Sequence, residues 1–168
     1  MTAPTNSVDQ PDTTAPDPVW AETYREEGPR LIRLATVLVG PADAQDLVAD
    51  TVHALVRRDD WSSISEPSAY LTRSVVNAAI ALKRSTGRRL AREERSVRLT
   101  IAHSVDPAHA IDVQRALRRL SLQQRAVAYF VYWEDLTIPQ IARRLDVTEG
   151  TVRKQLARAK ERLREVLR

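Results

Sequence analysis

The 168-residue chain contains no cysteine. That absence removes disulfide frameworks, thiolate metal sites and cysteine nucleophiles together. Its three histidines, His53, His103 and His109, are not spaced as H-x-x-x-H, so the sequence offers no basis for a dedicated metal site. Four glycines in the whole chain leave no Gly-rich loop to cradle a phosphate or dinucleotide, which disfavours the common nucleotide-binding enzymes. No apolar run approaches the roughly 18 to 20 residues of a membrane span, and the N-terminus lacks a basic segment followed by an apolar one. The expectation is a soluble, cytoplasmic protein without a cofactor. No nucleophile, base and orienting group can be assembled from these residues, so an enzyme is the least supported class.

What is present is charge, and it is unevenly placed. Hydrophobic residues make up 43% and charged residues 29% of the chain, enough for one ordinary core or two small ones. Residues 1–60 carry 5 Lys/Arg against 11 Asp/Glu, residues 61–109 carry 8 against 4, and residues 110–168 carry 13 against 7. A basic C-terminal third is what a polyanion-binding surface requires, because Lys and Arg displace condensed counterions from phosphates. The acidic front end reads either as a solvated face behind a tail or as a docking surface for a basic protein.

Residues 1–18 hold Pro4, Pro11, Pro16 and Pro18 among small polar residues, the composition of a disordered tail. From Trp20, residues Tyr24, Leu31, Leu34, Ala35 and Leu38 recur at helical spacing, and Gly28-Pro29 is expected to kink or interrupt the helix. Gly40-Pro41 ends it. A second helix, about Ala42 to Arg58, has an apolar stripe of Leu47, Val48, Val52, Leu55 and Val56, with Asp43, Asp46, Asp50 and His53 opposite. A third starts near Pro67 and aligns Leu71, Val75, Ala78 and Leu82 before running into Lys83, Arg84, Arg88 and Arg89. The stretch from about Gly87 to Pro107 is compatible with helix in its first part and reads as a linker in its later part, and the domain boundary falls there. The resulting division is a tail at 1–18, a helical domain at 19–90, a linker at 91–107 and a second helical domain at 108–168.

In the second domain, Ser121-Leu-Gln-Gln124 and Thr137-Ile-Pro-Gln140 have the form of capping boxes, and Thr148 is placed to cap a final helix. Val152, Leu156, Ala159, Leu163 and Val166 point inward along that helix, leaving Arg153, Lys154, Ala157, Arg158 and Glu161 outward. Residues 137–160 thus spell two helices joined by a turn of about three or four residues, the helix-turn-helix plan. In that plan the second helix presents side chains to base edges, and amides around Gly150 and Thr151 at its start are placed to hold a phosphate. A helical hairpin with a solvated charged face is the plainer alternative. No segment alternates with period two long enough to be a strand, so the chain is expected to be all-helical.

The motifs R-A-L-R-R-L-S-L-Q-Q-R-A-V, Y-W-E-D-L-T-I-P-Q-I-A and T-E-G-T-V-R-K-Q-L-A-R-A-K-E-R-L-R, within residues 111–167, resemble region 4 of bacterial sigma factors. Y-R-E-E-G-P-R-L-I-R from Tyr24, D-A-Q-D-L-V-A-D-T-V from Asp43 and E-P-S-A-Y-L-T-R-S-V-V-N-A-A-I from Glu66 resemble region 2. Two such domains without a region 3 resemble the extracytoplasmic-function (ECF) group, and the Y-W-E-D-L wording leans toward an actinobacterial subgroup.

The resemblance implies core RNA polymerase and promoter DNA as partners, admits an anti-sigma protein as a third, and implies no membrane. It makes Asp43, Asp46, Leu47, Asp50 and Thr51 candidates for contact with the beta-prime clamp helices. For the minus-10 element it points to Ser63, Ile64, Ser65, Tyr70, Arg73, Asn77, Lys83 and Arg84, with Arg88 and Arg89 on phosphates and Trp61 packed between helices. An extruded base there costs a few kcal/mol, offset by stacking and edge hydrogen bonds; Tyr70 reads equally as a core aromatic. For the minus-35 element it points to Gly150, Thr151, Arg153, Lys154, Gln155, Ala157 and Arg158. Lys154, Gln155 and Ala157 depart from the family's usual residues, so promoter preference cannot be copied, and Val52-His53-Ala54 replaces a more usual aromatic-containing stretch. Elements about 16 base pairs apart lie about 55 Å apart, within the roughly 65 Å reach of about 20 extended residues. The alternative is a helix-turn-helix regulator that acts without polymerase.

Overall fold

In the computed structural model, residues 18–57, 63–93 and 116–166 are described. The expected tail before Pro18, the packing of Trp61, most of the expected linker and the side chains of Arg88, Arg89 and Val166 lie outside that description. The described residues form α1 (Pro18–Val39), α2 (Pro41–Val56), α3 (Pro67–Glu93), a helical turn at 116–119, α4 (Leu122–Tyr132), α5 (Ile138–Leu145) and α6 (Glu149–Val166). None of them is in a strand, as the periodicity predicts.

Helices α1, α2 and α3 pack pairwise into one bundle, and α4, α5 and α6 into a second. Leu31, Leu34, Ala35 and Leu38 of α1 are fully buried with Val48 of α2 and Leu71 and Val75 of α3. The α1–α2 joint is a single residue. Gly40 adopts φ 99°, which costs glycine little and an L side chain much, and Pro41 then supplies a preset first helical turn.

Two local expectations are corrected. Of the kink or break expected at Gly28-Pro29, the break does not occur: helix α1 runs through Pro29 to Val39. Pro29 is exposed, while residues on both sides of it, Trp20 and Leu31 among them, are anchored in the same core; that packing outweighs a local cost of about 3 kcal/mol. Val56 and Leu82, assigned to apolar stripes, are exposed, because each lies toward the end of its helix's contact with its neighbours. Helix α3 continues to Glu93, in keeping with the expectation that the first part of the mixed stretch after Gly87 extends as helix.

The caps are as expected. Ser121 Oγ accepts from the Gln124 amide at 3.2 Å, and Gln124 Oε1 accepts from the Ser121 amide at 3.0 Å. Gln140 Oε1 accepts from both the amide and the hydroxyl of Thr137 at 2.8 Å. Helix α5 ends on Asp146 in the left-handed region, φ 55°, and the Val147 amide reaches back to the Ala142 carbonyl at 3.0 Å, closing the helix in a Schellman turn. Three residues thus join α5 to α6.

The two bundles are in contact. Helix α4 packs on α1 and α3, and α5 packs on α3, so the buried residues of both halves belong to one apolar cluster. Phe130 is fully buried in it. Phe130→Ala should lower unfolding stability by about 3 to 5 kcal/mol through lost burial and a residual cavity, read as a reduced urea midpoint.

Candidate nucleic-acid interface

Helix α6 is held by two buried residues, Val152 and Ala159, with Leu156 and Leu163 partly buried on the same side. Arg153, Lys154, Ala157 and Arg158 are exposed, as the 3.6-residue period requires. Arg153 pairs with Glu149 one turn earlier, an exposed pair that a phosphate can displace at little cost. Gln155 behaves differently: its Nε2 donates to Gln123 Oε1 of α4 at 3.3 Å, and it faces a cleft toward α3.

The start of α6 corrects one expectation. Thr148 Oγ1 accepts from the Thr151 amide at 3.2 Å and lies 2.9 Å from the Thr151 hydroxyl. That amide is spent on the cap, so it is not free to take a phosphate. Gly150 is exposed and open around its α-carbon.

On α3, Arg73 and Asn77 stand one turn apart and line the cleft that Gln155 also lines. Tyr70, one turn before Arg73, is partly buried against the core, with the Arg73 guanidinium 6.0 Å from its ring centroid. Both readings of Tyr70 therefore share one geometry: a ring packed against the core and only partly buried. In the segment leading to α3, Ser63 and Ser65 are exposed and Ile64 is half-buried, while Lys83 and Arg84 are exposed further along α3. The structure thus brings Tyr70, Arg73 and Asn77 together and leaves Lys83 and Arg84 apart from them.

On α2, Asp43, Asp46, Asp50 and His53 are exposed, with Asp43 in the first turn, where the helix dipole favours a negative charge. Leu47 and Thr51 do not share that face. Leu47 is in the core, and Thr51 is buried with its hydroxyl donating to the Leu47 carbonyl at 2.7 Å. They support the acidic face from behind.

Sequence reasoning missed the junction between the bundles. Arg30 of α1 meets Glu134, after α4, with Nε 2.7 Å from Oε1 and Nη2 donating to Oε2 at 2.8 Å. Arg144 of α5 reaches the same Oε2 at 3.3 Å. Arg125 Nη1 donates to the Leu38 carbonyl at 2.6 Å; burial and the nearby Arg118 charge lower its guanidinium pKa. Only the position of Glu134 inside the Y-W-E-D motif marks it in the sequence, and spacing reveals nothing of its partner 104 residues away. Among the described residues no group of His, Asp or Glu is arranged to hold a metal, and no helix is long and apolar enough to cross a membrane.

Comparison with known proteins agrees with this architecture. The family model described as Sigma-70 region 2 matches residues 23–89, and Sigma-70, region 4 matches residues 110–163. The ECF RNA polymerase sigma factor SigM of Mycobacterium tuberculosis is 34% identical over 149 residues, covering 87% of this chain and 76% of that protein. The chain belongs to the ECF RNA polymerase sigma factors. The RNA polymerase sigma-E factor of Streptomyces avermitilis is 35% identical over 156 residues, covering 87% and 83%. A solved structure of the sigma factor RpoE in complex with the anti-sigma factor NepR, from Bartonella quintana, shares the fold. Its TM-score is 0.69 at 23% identity, over 89% of this chain and 96% of that one.

In this sigma factor the junction also tunes Tyr129. Burial, then the Glu134 charge, raises its phenol pKa, while a hydrogen bond with Arg33 acts in the opposite direction. The folded state holds this proton more tightly than the unfolded chain does. Its contribution to stability is therefore complete below about pH 10 and is lost as pH climbs through the raised value. Tyr129→Phe should flatten the alkaline fall in stability, measured by urea unfolding at a series of pH values.

Proposed function

We propose that this sigma factor docks on core RNA polymerase through the Asp43, Asp46 and Asp50 face of α2 and reads promoter DNA with both bundles. Minus-10 contact is assigned to the Ser63, Ile64 and Ser65 segment with Tyr70, Arg73 and Asn77, and to Lys83 and Arg84 on phosphates. Minus-35 contact is assigned to Gly150, Thr151, Arg153, Lys154, Ala157 and Arg158, with Gln155 joining once it is released from Gln123. Leu47 and Thr51 act by holding α2 in shape. The protein catalyses no reaction itself, needs no cofactor and works in the cytoplasm. A solved relative is named in complex with an anti-sigma factor, and a protein inhibitor of that kind is a fitting partner here.

The observation that carries this reading is the separation of charge by helix. Three carboxylates line the open face of α2, while cations line the open face of α6. Like charges facing a wrong partner cost several kcal/mol, so the two faces select different macromolecules, a basic protein surface for one and phosphate for the other.

Purified protein added to core polymerase should start run-off transcription from promoters selected out of a random library. Asp46→Arg or Asp50→Arg should weaken core association by about tenfold or more. Arg158→Ala should weaken and relax selection at one minus-35 position by about 1 to 3 kcal/mol. Tight, sequence-selective DNA binding by the chain alone, with core association unchanged by the aspartate reversals, would instead favour a regulator acting without polymerase.

A further inference from the structure

Arg118, in the helical turn before α4, and Arg125 of α4 line one cavity of about 260 Å³, whose other wall includes Val37, Gly40 and Pro41 at the α1–α2 joint. Two guanidiniums thus share a single recess. No carboxylate lines it, and among the described residues neither arginine is in an ion pair. Asp43 lines the adjoining cavity instead, which Arg125 also borders.

Arg125 is fixed by neutral groups. Its Nε donates to the Leu117 carbonyl and its Nη1 to the Leu38 carbonyl, both at 2.6 Å, while Nη2 donates to the Arg118 carbonyl at 3.0 Å. Those bonds spend three of the five N–H donors that a guanidinium carries, and they orient the group without cancelling its charge. The Arg118 side chain is exposed and makes no hydrogen bond among the described residues. Burial, and then the Arg118 charge, hold the Arg125 guanidinium below its ordinary pKa, as expected of two cations that approach each other in a half-dry recess.

We infer that this cavity is a binding site for a compact phosphate-class oxyanion, bridged by Arg118 and Arg125. A guanidinium presents paired N–H groups that fit two oxygens of a phosphate. Serving two guanidiniums takes more oxygens than a single carboxylate has, whereas phosphate, and diphosphate better still, can meet both. The volume falls short of the roughly 300 Å³ at which pockets for drug-sized ligands begin, so a small anion fits and a nucleic-acid duplex does not. Its negative charge also relieves the repulsion between the two cations. None of the cavity's lining residues is among those assigned to polymerase or promoter DNA. The ligand therefore needs neither partner, and the full chain by itself is enough for a test.

Isothermal titration calorimetry at constant ionic strength should show one saturable site for inorganic diphosphate, weaker binding of inorganic phosphate, and no saturable binding of acetate or chloride. Diphosphate should also raise the unfolding temperature in step with its concentration. Arg118 is the residue to vary, because Arg125 also holds three carbonyls of the fold. Arg118→Ala should weaken diphosphate binding by about tenfold or more through the loss of charge-assisted hydrogen bonds, and Arg118→Lys, which keeps the charge without the fork, should fall between. Arg119→Ala removes the same charge from the neighbouring exposed position, outside the cavity, and should leave the affinity unchanged. The site is overturned if diphosphate shows no saturable binding, or if Arg118→Ala and Arg119→Ala weaken it equally, the mark of diffuse attraction to a basic surface. It is also overturned if Arg118→Ala leaves diphosphate binding intact while lowering affinity for a short random duplex, which places that arginine on DNA instead.

Discussion

The structure turns on a carboxylate and a guanidinium from opposite ends of the chain. Arg30 sits over the Phe130 ring, 5.8 Å from its centroid, and reaches Glu134 side-on. Burying charges this far costs several kcal/mol per ion unless geometry and further hydrogen bonds compensate. Here Glu27, Thr72, Arg144 and the ring share the compensation. Such a pair adds little net stability. Its consequence is positional: the pair joins α1 to the residue after α4, at the seam where α4 and α5 pack on α1 and α3.

That arrangement leaves two oppositely charged faces in the open. The face of α2 that carries three carboxylates stays open, and so does the basic face of α6, whereas Arg73 of α3 and Gln155 of α6 line a common cleft. Both charged faces are thus presented to solvent at once.

Much of the local architecture was legible in the residues. The stripe Leu31, Leu34, Ala35 and Leu38, the boxes at Ser121 and Thr137, and the outward Arg153, Lys154 and Arg158 all stand where a 3.6-residue period and capping chemistry put them. Such features depend on neighbours three or four positions away. Pro29 did not break its helix because its cost is local and the anchors that overrule it are not. At Thr151 only the amide was misleading: one cap partner, Thr148, satisfies it, while the residue itself stays exposed at the start of α6.

The sequence by itself determined the helical class, the segregation of negative from positive helices and the family. Each of these is written in short periodic patterns or contiguous motifs. The tertiary structure alone decided that Leu47 and Thr51 lie beneath the acidic face, that Gln155 turns inward, and that Arg30 finds Glu134. Those outcomes depend on how two amphipathic bundles fit together, and the contacts that decide that fit lie as many as 104 residues apart, beyond any repeat a linear pattern can carry.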